Sequence, residues 1–62
     1  MNKLRAFRAL RGLTGEAMGK KLDMSKQTYL RKERESDWSN KEMKKFREVF
    51  NLAVSELIEL FF

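Results

Sequence analysis

The chain has 62 residues and a formal net charge of +5, with neither cysteine nor histidine. These features exclude disulfide frameworks, zinc fingers and the commonest general base, and a single domain of this size has little room for a deep catalytic pocket. No apolar run approaches the roughly 20 residues that span a bilayer. We therefore expect a cytoplasmic binding protein that is not an enzyme and needs no cofactor or metal.

Positive charge is concentrated in the first half of the chain. Residues 1–34 contain ten Lys and Arg against three Asp and Glu, whereas residues 35–62 contain four against six. Basic residues often do no more than solvate helix faces. Their clustering in one half nevertheless favours a polyanion as the partner of that half.

Apolar residues recur at helical intervals throughout, which predicts one all-α domain of five helices over residues 1–62. Helix one is predicted from Asn2 to Arg11, and Gly12 ends it in a left-handed conformation. Thr14 caps helix two, in which Gly19 indicates a close approach by another helix. The residues predicted to point inward are Leu4, Phe7, Leu10, Met18 and Leu22.

Helix three is predicted to open at Ser25, after a tight turn in which Asp23 accepts positive φ. Tyr29 and positions 32 and 33 share one face. The opposite face follows an i, i+3, i+4, i+7 pattern with a single apolar residue, which suits a contact surface better than a core. Its members are Gln27, Leu30, Arg31 and Arg34.

Helix four is predicted to start at Ser39, which has capping-box spacing to Glu42. The inward residues predicted for helices four and five are Met43, Phe46, Val49, Phe50, Val54, Leu57, Ile58 and Phe61. Leu60 and Phe62 fall outside that stripe, so the chain end at Leu60, Phe61 and Phe62 is the predicted surface for a second copy. The alternative is that the last aromatic residues fold back onto the domain.

This pattern resembles the lambda-repressor-like helix-turn-helix family, which includes the phage Cro and CI repressors. The likeness covers nearly all 62 residues. The matching elements are Arg8, Gly12-Leu13-Thr14, Leu22, Ser25, Gln27-Thr28-Tyr29, Glu33, Phe50-Asn51 and Glu56-Leu57. The resemblance implies a compact five-helix domain that places helix three, about residues 25–34, in the major groove of DNA.

The resemblance also implies roles for individual residues of helix three. Lys26, Gln27 and Arg31 correspond to positions that meet bases, and Leu30 would meet a thymine methyl. Gln suits adenine N6 and N7, whereas Lys and Arg suit guanine O6 and N7. The residues expected to hold phosphates are Ser25, Thr28, Arg34 and Lys41. Arg8 and Glu33 resemble an ion pair that orients the recognition helix.

Three departures from the family pattern affect this interpretation. Gly15 stands where the family has a Gln that contacts a phosphate, so that side-chain contact is lost. Arg34-Glu35 replaces the Asn-Gly that follows helix three, so the helix is expected to run longer. Ala53 replaces the Ser or Asp that starts helix five, which leaves a weak cap.

The expected function is a Cro-like phage or prophage repressor, associated with the nucleoid. It would bind a near-palindromic operator in double-stranded DNA as a homodimer. The alternative is a small modulator or antirepressor that keeps the helix-turn-helix fold but binds another repressor protein. Gly15 and the apolar C-terminal LIELFF motivate that alternative.

Overall fold

Five α-helices form the computed structural model, which describes residues 2–62, and no strand occurs in that range. The helices are α1 (Lys3–Leu10), α2 (Gly15–Lys21), α3 (Lys26–Glu35), α4 (Asn40–Phe50) and α5 (Val54–Phe61). The prediction of an all-α chain with five helices is confirmed. None of the described helices is both long and apolar enough to cross a membrane.

Short polar side chains start the first four helices, because each accepts a hydrogen bond from a backbone N–H that the helix leaves unpaired. These N-cap residues are Asn2, Thr14, Ser25 and Ser39. The predicted capping box of α4 is complete, since Glu42 also accepts from the Ser39 N–H at 2.9 Å. Ala53 gives α5 no side-chain cap, as expected, and only Glu56 contributes there by accepting from the Ala53 N–H at 2.9 Å.

Left-handed residues follow α1, α2, α3 and α4, and those after α1, α2 and α4 share one hydrogen-bonding pattern. Gly12, Asp23 and Asn51 have φ angles of 65°, 57° and 52°, as predicted for the first two. The next residue in each case donates its N–H to the carbonyl five residues back, which is the Schellman pattern. Those next residues are all apolar and pack into or against the core: Leu13, Met24 and Leu52.

The core lies where α1, α2, α3 and α4 meet. Its buried apolar residues are Leu4, Phe7, Met18, Leu22, Tyr29, Phe46 and Leu52. Phe46 is the centre of an aromatic cluster, with the rings of Trp38, Phe50 and Phe61 at centroid distances of 5.0–5.9 Å. Phe7 of α1 lies 5.4 Å from the same ring. These edge and tilted contacts join α1, α4 and α5 around one side chain.

One residue of α1 and one of α4 that were predicted to point inward are exposed. Leu10 is 86% exposed because each step of three residues falls 60° short of a full helical turn, so Leu10 is rotated by about 120° from Leu4. Val49 is also exposed, in the last turn of α4. Leu52, which was not predicted, is buried instead.

The apolar stripe of α5 is also rotated from the predicted one. Val54 and Ile58 were expected inside but are 54% and 52% exposed. Leu60 was expected outside, yet it packs against the core together with Phe61. Two apolar stripes at helical spacing overlap in this helix, and periodicity alone does not choose between them.

Candidate nucleic-acid interface

The α2 and α3 helices meet closely at Gly19. A Cβ atom on Gly19 would lie only 2.6 Å from the Met24 carbonyl oxygen and 3.2 Å from the Ser25 carbonyl oxygen. The expected close approach is therefore confirmed, although the neighbour is the backbone of the turn and not the body of a helix. This contact fixes where α3 starts relative to α2.

A second contact between these helices joins Gly15 and Leu30. A Cβ on Gly15 would lie 2.7 Å from Leu30 Cδ2, so the leucine occupies the space that a side chain at position 15 would need. Leu30 is half-buried and packs against the core. The observed contacts of Leu30 lie within the protein. Its contact with a thymine methyl stays a prediction.

The predicted ion pair between Arg8 and Glu33 is present and ties α1 to α3. Arg8 Nε lies 2.9 Å from Glu33 Oε2, and Nη2 lies 3.2 Å from Oε1, so the contact is bidentate. The Arg8 and Glu33 side chains are 19% and 7% exposed. Arg8 Nη1 also donates to the Leu13 carbonyl at 3.2 Å. Burial opposes the charge on Glu33, but the hydrogen bonds and positive charge of Arg8 outweigh it and lower the pKa of the carboxyl group.

The Tyr29 hydroxyl lies beside this pair in the protein interior. Burial, together with the negative charge of Glu33, raises the pKa of Tyr29, so the phenol stays neutral. The Tyr29 hydroxyl and the indole N–H of Trp38 are the buried side-chain polar groups in residues 2–62 that make no hydrogen bond. Packing, and not polar contacts, therefore holds both rings.

A second buried charge, which sequence analysis did not identify, fixes the end of α3. Lys32 is buried, and its Nζ donates to the Asp37 carbonyl at 2.9 Å and to Glu42 Oε1 at 3.0 Å. Glu42 also accepts from the backbone of Ser39, and this bond is the largest cause of the lowered pKa of Glu42. The capping box was the one sequence signal for this contact, because it places the Glu42 carboxylate at the start of α4.

The outward face of α3 carries the predicted DNA-contacting residues. Lys26, Gln27 and Arg34 are exposed, whereas Thr28 and Arg31 are half-buried. The hydroxyl groups of Ser25 and Thr28 are 2.9 Å apart and hydrogen-bonded to each other. Two of the cations have acidic neighbours: Arg31 Nη1 lies 2.9 Å from Asp37 Oδ2, and Arg34 Nη2 lies 3.1 Å from Glu35 Oε2.

Lys41 lies on α4 but borders the turn between α2 and α3. It lines a shallow groove between the turn at Asp23 and Met24 and the exposed side of α4, together with Lys44 and Lys45. Lys45 pairs with the Asp23 carboxylate across this groove. The structure thus places Lys41 beside the segment that leads into α3.

The exposed apolar residues near the chain end differ from the predicted dimer surface. Of the three predicted residues, Leu60 and Phe61 pack against the core and only Phe62 is exposed, at 82%. Val54, Ile58 and Phe62 instead follow one another at intervals of four residues, so they form one exposed stripe along α5. We call these three residues the α5 stripe.

The chemistry of the α3 face rests on ammonium, guanidinium, amide and hydroxyl groups. Among residues 2–62, no group of three or more acidic side chains is placed to hold a metal ion. Comparison of the chain with protein-family models, curated proteins and solved structures finds no match.

Proposed function

We propose that this protein is a sequence-specific double-stranded DNA-binding regulator of the lambda-repressor-like helix-turn-helix type, with α3 in the major groove. The observation that carries the proposal is the division of α3 into two faces. Its inner face is held by Tyr29, Lys32 and Glu33, all buried. Its outer face presents Lys26, Gln27 and other hydrogen-bonding groups to solvent.

The rigid inner face is what makes the outer face suitable for reading bases. Recognition needs donors and acceptors held within about 0.5 Å of their working positions. The ion pair of Arg8 with Glu33 fixes α3 to α1, and the bonds of Lys32 fix its end to α4. On binding DNA, only the outer side chains of α3 then lose conformational freedom, because the helix itself is already fixed.

Each residue on the outer face has a chemical role in this proposal. The Gln27 amide donates to and accepts from adenine, while Lys26 and Arg31 donate to guanine O6 and N7. Arg34 and Lys41 neutralise phosphates, with the Ser25 and Thr28 hydroxyl groups beside them. Phosphate contacts position the domain without distinguishing sequences, and they make affinity fall steeply with salt.

Replacing Arg31 with Ala tests the assignment of a base-reading residue. We expect the variant to lose preference at one position of each half-site, by roughly 5- to 150-fold, the range for one bidentate contact. Lys41→Ala is the control, since it should weaken binding to all sequences alike and reduce the salt slope by about 1. Selection from a random duplex library measures both effects. Equal binding of the wild-type chain to the selected site and to random DNA would contradict the proposal.

We propose further that the protein acts as a homodimer on two half-sites about one helical turn, roughly 34 Å, apart. A second copy can cover the α5 stripe by a two-fold contact, in which the same patch faces itself. The α5 stripe takes the place of the predicted dimer surface at Leu60 and Phe61, because those two residues pack against the core.

Ile58→Glu should prevent dimer formation, because it places a charge at the centre of the α5 stripe. The isolated chain should still fold, since Ile58 is half-exposed. Sedimentation velocity at increasing concentration measures the change in mass. Leu10→Glu is the control, as it puts the same charge on an exposed leucine of α1. A wild-type chain that stays monomeric both alone and on its operator would contradict the dimer.

The α5 stripe also supports a second candidate, a modulator that binds another repressor protein through this apolar surface. A gel shift against genomic DNA separates the two candidates. A regulator gives discrete complexes that survive competitor DNA, whereas a modulator binds duplex DNA weakly and without preference. A modulator also loses its protein partner in Ile58→Glu.

A further inference from the structure

Arg31 is the only proposed base-reading residue whose donors already have a partner among residues 2–62. Its Nη1 donates to Asp37 Oδ2 at 2.9 Å, across the end of α3. The hydrogen bond from Arg31 lowers the pKa of Asp37 and so favours the charged carboxylate. The contact takes one of the five N–H donors of the guanidinium. The edge formed by Nε and Nη2 stays available for a bidentate contact.

Asp37 itself is held by the buried network at the end of α3. Its carbonyl accepts from Lys32 Nζ at 2.9 Å, and Lys32 is anchored in turn by Glu42. On one side of Asp37, Ser36 has a left-handed φ of 55°. On the other side, the Trp38 ring packs edge-on against three aromatic rings of the core. The Asp37 carboxylate is thus presented by a fixed backbone, although its side chain reaches solvent.

We infer that Asp37 is a positioning residue that orients the Arg31 guanidinium so that its Nε and Nη2 edge reads one base. This inference rests on the proposed DNA-binding function and names a specificity determinant within it. A long side chain ordered before binding loses less conformational freedom on binding and rejects a wrong base more strongly. A guanine, with two acceptors at O6 and N7, is the base that this edge fits.

The cost of this carboxylate argues against a chance surface pair. A negative group beside phosphate-binding cations weakens attraction to any DNA, so it lowers affinity for all sequences. The Asp37 backbone is nevertheless held in place by a buried lysine. Glu35, the other acidic neighbour on this face, differs because it pairs only with the adjacent Arg34 in the same helix. Glu35 is therefore a matched control.

The test compares Asp37→Ala, Asp37→Asn and Glu35→Ala on four duplexes. The duplexes differ only at the base pair that Arg31 reads, which is the position where Arg31→Ala loses its preference. We expect Asp37→Ala to reduce the preference for the best base by roughly five- to tenfold, part of the range for one bidentate contact. Asp37→Asn should keep more of that preference, because its amide oxygen still accepts from Arg31. Glu35→Ala should raise affinity for all four duplexes alike.

The two Asp37 variants have the same net charge, so a purely electrostatic role predicts equal behaviour for them. Equal preference in wild-type, Asp37→Asn and Asp37→Ala proteins would overturn the inference and leave DNA binding intact. A loss of preference by Asp37→Ala that persists in the Arg31→Ala background would also overturn it, since Asp37 would then act without Arg31. A wild-type chain that binds no duplex would overturn the proposed function and the inference with it.

Discussion

Glu33→Gln is expected to lower the free energy of unfolding by about 2–3 kcal/mol, which is a large share of the stability of a chain this size. The substitution leaves the Arg8 guanidinium largely buried without its counter-charge. The loss should fall below that of a fully buried pair, because Arg8 keeps its bond to the Leu13 carbonyl. Urea unfolding followed by circular dichroism measures the change.

Glu16→Gln is the matched control for this substitution. Glu16 faces Lys20 one turn away in α2 at 3.8 Å, and both side chains are mostly exposed. Exposed pairs of this kind contribute little, so stability should hardly change. If the two Gln variants unfold at the same urea concentration, the Arg8 and Glu33 pair does not stabilise the fold.

The Glu33 contribution also has a defined pH dependence. The pKa of Glu33 in the folded chain lies below its ordinary value of 4.5. Its stabilisation is therefore fully present above about pH 4.5 and is lost as pH falls through the folded pKa. The difference in stability between wild type and Glu33→Gln should shrink in acid. Both wild type and Glu33→Gln should still lose some stability in acid, because the pKa values of Asp37 and Glu42 are also lowered.

Gly19→Ala is expected to destabilise the chain by about 2–3 kcal/mol and to weaken DNA binding further. The added methyl group would meet the Met24 carbonyl, which is backbone, so the turn and the start of α3 must move. That loss exceeds the roughly 1 kcal/mol that Ala contributes over Gly in a helix. Thermal unfolding by circular dichroism and duplex affinity measure the two effects.

Gly15→Ala is the control in the same helix. Its methyl group would meet the Leu30 side chain, with Cδ2 at 2.7 Å and Cγ at 2.9 Å, but no backbone atom, so a change of the Leu30 rotamer can relieve the contact. The helix propensity of Ala then offsets most of the repacking, and stability should change by less than about 1 kcal/mol. Equal losses for the two variants would show that the close approach at Gly19 does not constrain the fold.

Local signals along the sequence account well for the helix boundaries. Thr14, Ser25 and Ser39 act where their side chains predict caps, and Gly12 and Asp23 take the positive φ expected of them. Such features depend on residues within one turn of each other. They need no knowledge of how the helices pack.

Packing decided the features that the sequence did not predict. One of them, the burial of Leu52, does carry a local signal, because Leu52 follows the left-handed Asn51 just as Leu13 follows Gly12. The face of α5 depends on where Phe46 lies, so Val54 and Ile58 could not be assigned from periodicity. The capping box predicts where the Glu42 carboxylate lies, but its salt bridge with Lys32 depends on how α3 and α4 pack.

The candidate site shows the same division between local and tertiary information. The outward position of Lys26 and Gln27 follows from helical period alone. The half-burial of Leu30 follows from the absence of a side chain at Gly15, which is a relation between two helices. Asp37 lies in a connection where the sequence carries no periodic signal, and only the bonds of Lys32 reveal its position.

The position of Trp38 gives the protein a built-in optical probe. It is the single tryptophan of the chain, and its ring contacts Tyr29 of α3, Phe46 of α4 and Phe61 of α5. Its intrinsic fluorescence therefore depends on three helices being assembled at once. Detachment of α5 alone would change the emission while α1 to α4 remain helical, so unlabelled protein can show whether the last helix leaves before the rest unfolds.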